Sequence, residues 1–153
     1  MPDVIVRKAS VFDIDSLVGL IEELFSIEED FIFDEEKQRK GLLLMLDDQG
    51  KHFVMVAELN EKVIGMCSVQ TLISTAEGGF AGVIEDMIVS KKYRGKGVGR
   101  CLLKSIKAES KEKGLLRLQL LADKNNTDAL EFYKKTGWCR TQLICLRSAG
   151  DLA

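Results

Sequence analysis

Apolar and polar residues alternate from Val4 to Arg7, and from Asp13 onward Ile14, Leu17, Val18, Ile21, Leu24 and Phe25 recur at the spacing of one helix face. The chain is therefore predicted to open with a strand and an amphipathic helix. A second helix is predicted from about Asp34 to Leu46, with Asp34 as its N-cap and Asp47-Asp48-Gln49-Gly50 as its stop. Phe53 to Glu58 and Val63 to Thr71 are strand-like runs joined by the polar Asn60-Glu61-Lys62, which predicts a hairpin. The Glu77-Gly78-Gly79 turn leads into another strand, Phe80 to Val89. Helical spacing returns with Val98, Cys101, Leu102 and Ile106, and Gly114 is placed to cap that helix. Leu116, Leu118 and Leu120 alternate with Arg117 and Gln119 as a strand. After the Asn125-Asn126 turn come a short helix ending at Gly137 and a last strand near Gln142 to Leu146.

This order predicts one α/β domain over residues 1–153, a mixed sheet flanked by helices, with no internal repeat or linker. A chain of 153 residues buries about 70% of the surface its unfolded form exposes, so the core needs no covalent staple. Hydrophobic residues make up 46% and charged residues 30%, with one Pro, which excludes a disordered or fibrous chain. Cys67, Cys101, Cys139 and Cys145 include no C-x-x-C pair, and the single His52 is distant from them in sequence. No metal site is expected, and the thiols are read as reduced in a cytoplasmic protein. There is no leader pattern and no apolar run near the roughly 18 residues of a membrane helix. Neither a membrane nor a nucleic acid is an expected partner.

The net charge of -2 hides a separation of signs. Glu22, Glu23, Glu28, Glu29, Asp30, Asp34, Glu35 and Glu36 fall in a stretch without Lys or Arg, whereas Lys91, Lys92, Arg94, Lys96, Arg100, Lys104, Lys107, Lys111 and Lys113 crowd a later one. Two solvated faces would explain this. So would an anionic ligand at one end and a cationic one at the other.

The basic stretch contains Arg94-Gly95-Lys96-Gly97-Val98-Gly99-Arg100, between a predicted strand and a predicted helix. Helix N-termini present amides without intrahelical partners and about half a positive charge, and glycines let an anion approach them closely. A plain turn would use the same glycines. A dinucleotide fingerprint needs Gly or Ala where Arg100 stands, a P-loop needs Lys and then Ser or Thr where Arg100-Cys101 follow, and a kinase loop needs a longer chain.

Arg94, Gly97 and Gly99 fit R-x-x-G-x-G, and Asn126-Thr127-Asp128-Ala129-Leu130-Glu131-Phe132-Tyr133, followed by Gly137-Trp138, fits N-x-x-A-x-x-F-Y with a trailing Gly and aromatic. The chain thereby resembles the GNAT superfamily of N-acetyltransferases, in detail from about Val83 to Trp138 and only architecturally before that. Ser90-Lys91-Lys92 departs from the Pro the family often carries there, a matter of turn shape. The resemblance implies acetyl-CoA as co-substrate and transfer of its acetyl group to a primary amine, on a small molecule or on a protein or peptide, with a homodimer among the possible assemblies. It implies that Met87, Ile88 and Val89 lend backbone groups to the pantetheine arm. The loop of Arg94, Gly95, Lys96, Gly97, Val98, Gly99 and Arg100 would hold the pyrophosphate, and Asn126 would hydrogen-bond the pantetheine. Asn126 as a helix cap and Tyr133 as a core aromatic are the structural alternatives.

An alkylammonium has a pKa near 10.4, so neutralising it at pH 7 requires roughly 4 to 5 kcal/mol, and a base must take the proton. In the family a carboxylate at the position of Glu85 often acts as that base, directly or through water. Strand alternation places Glu85 and Asp86 on opposite faces, and Glu85 is the expected base, a salt-bridged surface carboxylate being the alternative. Tyr133 is expected to hydrogen-bond the leaving thiolate, and no cysteine is expected to act as a nucleophile. A non-catalytic acyl-CoA-binding sensor of the same fold is the rival function. The acidic run between the first two helices suggests a cationic acceptor such as a polyamine, in keeping with a likeness of Glu85-Asp86 to the diamine acetyltransferase branch.

Overall fold

In the computed structural model the first strand forms as β1 (Ile5–Lys8) and the first helix as α1 (Ile14–Phe25), entered through a 3-10 turn at Val11–Asp13. Ser10 caps that turn in a capping box with Asp13. The second helix, α2 (Glu35–Asp47), starts at its predicted N-cap, where the Asp34 carboxylate accepts the Lys37 N–H at 3.3 Å. Strands β2 (His52–Leu59), β3 (Lys62–Ser74) and β4 (Gly79–Val89) follow, then α3 (Val98–Glu112), β5 (Leu118–Leu120) and α4 (Thr127–Lys135). The structure describes residues 3–150 and 152, so the ends of the span expected as one domain, 1–2, 151 and 153, lie outside the described residues. The chain divides into two units, Met1–Leu120 and Leu121–Ala153.

The first unit carries a mixed five-stranded sheet in the order β1-β2-β3-β4-β5, antiparallel except for the parallel β4/β5 pair that α3 connects. One sheet face, with Val54, Val56, Met66 and Ile88, joins Leu17, Val18, Leu20, Ile21 and Leu24 of α1 and Leu42 and Leu46 of α2 in a single apolar cluster. Helix α3 packs on the sheet through Val98, Leu102, Leu103 and Ile106, which recur at helical spacing and are all buried. Gly65 allows this approach: a Cβ there would lie 3.2 Å from Leu102 Cδ1 and 3.2 Å from the Ile88 carbonyl oxygen. The start of α3 is thus fixed beside the end of β4.

In the second unit α4 is capped by Asn126 and stops at Gly137, whose φ of +94° is open to glycine. The strand expected near Gln142 to Leu146 does not form. Its apolar residues are not in strict alternation, Leu143, Ile144 and Leu146 are exposed, and the described residues of this unit contain no strand to pair with it.

Candidate active site

Between Cys67↔Met87 and Val69↔Ile84 the β3/β4 register shifts, so that Ser68 alone faces both Glu85 and Asp86. This β-bulge turns Asp86 inward. Its backbone N–H donates to Ser68 Oγ at 3.1 Å, and Ser68 Oγ donates to the Asp86 carboxylate at 3.4 Å. Burial pushes the Asp86 carboxyl up to about 7, the negative charges of Glu85 and Glu28 add to the rise, and the Ser68 hydrogen bond opposes it. Glu85, the residue expected as base, is exposed. Alternation alone cannot locate the extra residue of a bulge, so the sequence could not show which of the two carboxylates is enclosed. The one available signal was Ser68, a hydroxyl inside the apolar run of β3, fully buried in the structure.

Beyond the bulge, β4 is paired on one side only, because its parallel ladder with β5 ends at Ile84↔Leu120. The Ser90 N–H bonds the Ile64 carbonyl at 2.8 Å, which fixes the parity of the antiparallel ladder. Ile88 therefore directs its backbone groups to β3, while Met87 and Val89 direct theirs to the open side. Of the three residues expected to lend backbone groups to pantetheine, Ile88 is the one whose groups are already in the ladder, and its side chain sits in the core.

The loop after β4 runs through a 3-10 turn, Lys91–Tyr93, to the start of α3. Gly95 and Gly97 have φ of +73° and +86°, left-handed values that glycine adopts without strain. Gly97 is the N-cap of α3 and supplies no side-chain cap, and no acidic residue stands in the first turn. The first amide of this helix to find a backbone acceptor is that of Cys101, bonded to the Gly97 carbonyl at 3.1 Å. The N–H groups of Val98, Gly99 and Arg100 thus remain donors, which fits a diphosphate. Val98 can serve only through its backbone, since its side chain is buried.

Arg94, expected at the pyrophosphate, also has partners within the chain. Its Nε donates to the Val89 carbonyl at 2.7 Å and one Nη to Glu23 of α1 at 3.1 Å, while the same Glu23 oxygen accepts the Lys91 N–H at 2.6 Å. Arg94 and Glu23 clamp the loop to α1, a contact with no local sequence signal.

In the second unit Asn126 Oδ1 accepts the Ala129 N–H at 3.1 Å as the helix cap, leaving its side-chain NH2 to donate elsewhere. The Tyr133 ring lies 5.4 Å from that of Phe132 and 6.0 Å from that of Trp138, so it also belongs to an aromatic cluster.

Two clefts of the first unit lie outside this set: about 210 Å³ beside Ser110, Leu115 and Arg117, and about 380 Å³ beside Asp15, Glu22, Glu35 and Arg39. Among the described residues no group of three or more His, Cys, Asp or Glu could hold a metal ion, and no helix is long and apolar enough to cross a membrane.

The chain is 29% identical over 138 residues to the aminoalkylphosphonate N-acetyltransferase of Salmonella typhimurium, covering 90% of this chain and 86% of the relative. Its fold matches a possible acetyltransferase from Clostridium difficile with a TM-score of 0.85 at 21% identity, over 97% of this chain and 98% of that one. An aminoglycoside N-acetyltransferase in complex with CoA matches with a TM-score of 0.82 at 14% identity, over 98% and 97% of the two chains. The acetyltransferase (GNAT) family matches residues 17–138, and the chain belongs to that family.

Proposed function

We propose that the protein transfers an acetyl group from acetyl-CoA to a primary amine by direct attack of the amine on the thioester, and that both units serve this one activity. The half-buried Asp86, held by Ser68 beside the open edge of β4, carries the reading. When bound, acetyl-CoA supplies the activated acetyl thioester. The amides of Val98, Gly99 and Arg100, with Gly95, Lys96 and Gly97, hold its pyrophosphate, and the open backbone groups of Met87 with the N–H of Val89, whose carbonyl is held by Arg94, receive the pantetheine and polarise the acyl carbonyl. Asn126 donates its side-chain NH2 to the pantetheine.

The base is assigned to Asp86 rather than Glu85. A carboxyl near pH 7 in its proton equilibrium is matched to accepting a proton at neutral pH. Glu85 then acts through its charge. Tyr133 hydrogen-bonds the departing thiolate. A binding module without catalysis would have no use for an enclosed carboxyl of this kind.

The acceptor we infer is a cationic amine, and this rests on Glu28. The negative charge of Glu28 acts on Asp86, as does that of Glu85. Carboxylates at 28, 85 and 86 favour an acceptor with a second positive charge. The relative's aminoalkylphosphonate supports a second reading, in which the acceptor carries an anion. CoA thiol release with spermidine, a lysine-rich peptide, an aminoalkylphosphonate and a neutral arylamine, each at low and high salt, separates them. Preference for the polycations that weakens with salt is expected, and preference for the phosphonate overturns the assignment.

A further inference from the structure

The β2–β3 turn, with Asn60 and Glu61 at φ of 49° and 64°, sets Lys62 at the start of β3. The Ile64–Ser90 bond sets the 3-10 turn Lys91–Tyr93 beside the start of β3, so that Lys62 and Lys92 meet at one ring. Lys96 stands between the two left-handed glycines. The ammonium groups of Lys62, Lys92 and Lys96 lie 6.0, 5.7 and 5.9 Å from the centroid of a single ring, that of Tyr93.

Three like charges around one ring repel each other, and an exposed cation–π contact returns only about 0.5–1 kcal/mol. Among the described residues none of the three lysines forms a salt bridge to a carboxylate, and the loop's one paired cation, Arg94, is held by Glu23 and Val89. The cluster therefore carries excess positive charge beside the amides assigned to a diphosphate. A phosphomonoester, with its second pKa about 6, is close to a dianion at pH 7 and matches that excess.

We propose that Lys62, Lys92 and Lys96 around Tyr93 seat the phosphomonoester on the ribose of CoA, one sugar away from the pyrophosphate, and so make the protein select CoA over 3′-dephospho-CoA. The inference rests on the acetyl-CoA reading above. Lys96 joins the two phosphate sites because it lies within the glycine loop, whereas Lys62 and Lys92 belong to the phosphomonoester alone.

The test is calorimetric titration of the full chain with CoA and with 3′-dephospho-CoA, for the wild type and for Lys62→Ala/Lys92→Ala, with circular dichroism confirming that the variant is folded. CoA is expected to bind the wild type roughly tenfold more tightly than 3′-dephospho-CoA, and the double variant is expected to lose that difference through weaker CoA binding alone. Adenosine 3′,5′-bisphosphate should compete with CoA better than ADP does, and only in the wild type. Equal binding of the two cofactors by the wild type, or an unchanged ratio in the double variant, overturns the phosphomonoester site while leaving the acetyl-CoA reading intact. If neither cofactor binds the wild type, the underlying reading falls, and this inference with it.

Discussion

The hydroxyl of Ser68 accepts the backbone N–H of Asp86 at 3.1 Å and donates to its carboxylate at 3.4 Å, so one buried side chain on β3 holds both ends of the bulged residue on β4. The bulge encloses the carboxyl that burial and two neighbouring charges lift to about 7. That pairing supports the proposal of Asp86 as the base.

A deprotonated base is needed for turnover, so kcat/KM should rise with pH through an acid limb governed by Asp86. Asp86→Asn should remove that limb and lower kcat/KM roughly a hundredfold near neutrality, with acetyl-CoA affinity preserved. Glu85→Gln removes a negative charge that raises the Asp86 value, so its acid limb should move to lower pH. A pH–rate profile of the three proteins checks both. An Asp86→Asn enzyme that keeps the wild-type limb, while Glu85→Gln loses it, would return the base to Glu85.

At Gly97 two effects act together. A side chain at φ of +86° is strained by about 1–2 kcal/mol, and it would also intrude between an anion and the first amides of α3. Gly97→Val should weaken acetyl-CoA binding roughly tenfold to a hundredfold in a protein that still folds. Calorimetry on the folded variant measures this, and unchanged affinity would remove the loop from the cofactor site.

Much of this arrangement could be read from residues alone, and the exceptions have physical causes. Gly97 was legible because the backbone turns left-handed at the start of α3, a local requirement that glycine meets, whereas Gly99 lies inside the helix and has no such φ. Asn126 was legible as a cap for the same reason. By contrast, the enclosure of Asp86 depends on a register shift against Ser68, and the hold on Arg94 depends on Glu23 in a distant helix. Neither long-range contact leaves a periodic trace. The apolar run from Gln142 to Leu146 reads as a strand, but a strand exists only with a partner, and pairing is not encoded in the run itself.

Tyr133 can donate a hydrogen bond but, with a reference pKa of about 10 against about 8.5 for a thiol, full proton transfer is uphill by roughly 2 kcal/mol. Tyr133→Phe is therefore expected to lower kcat by roughly tenfold and to leave the acetyl-CoA dissociation constant and the stability of the fold nearly unchanged. Turnover and calorimetry on the same preparation check this. A variant that loses cofactor binding or folding, with kcat per bound cofactor unaltered, would assign Tyr133 to the aromatic cluster with Phe132 and Trp138 alone.

The most direct measurement is to incubate the protein with acetyl-CoA and a polycationic amine, then follow free CoA thiol and acetylated amine together by absorbance and mass spectrometry. Equal amounts of thiol and N-acetylated product, formed only with all three components present and lost in Asp86→Asn, are the expected result. Tight acetyl-CoA binding with no acetyl transfer to any amine would contradict the account and leave the protein a sensor of the same fold.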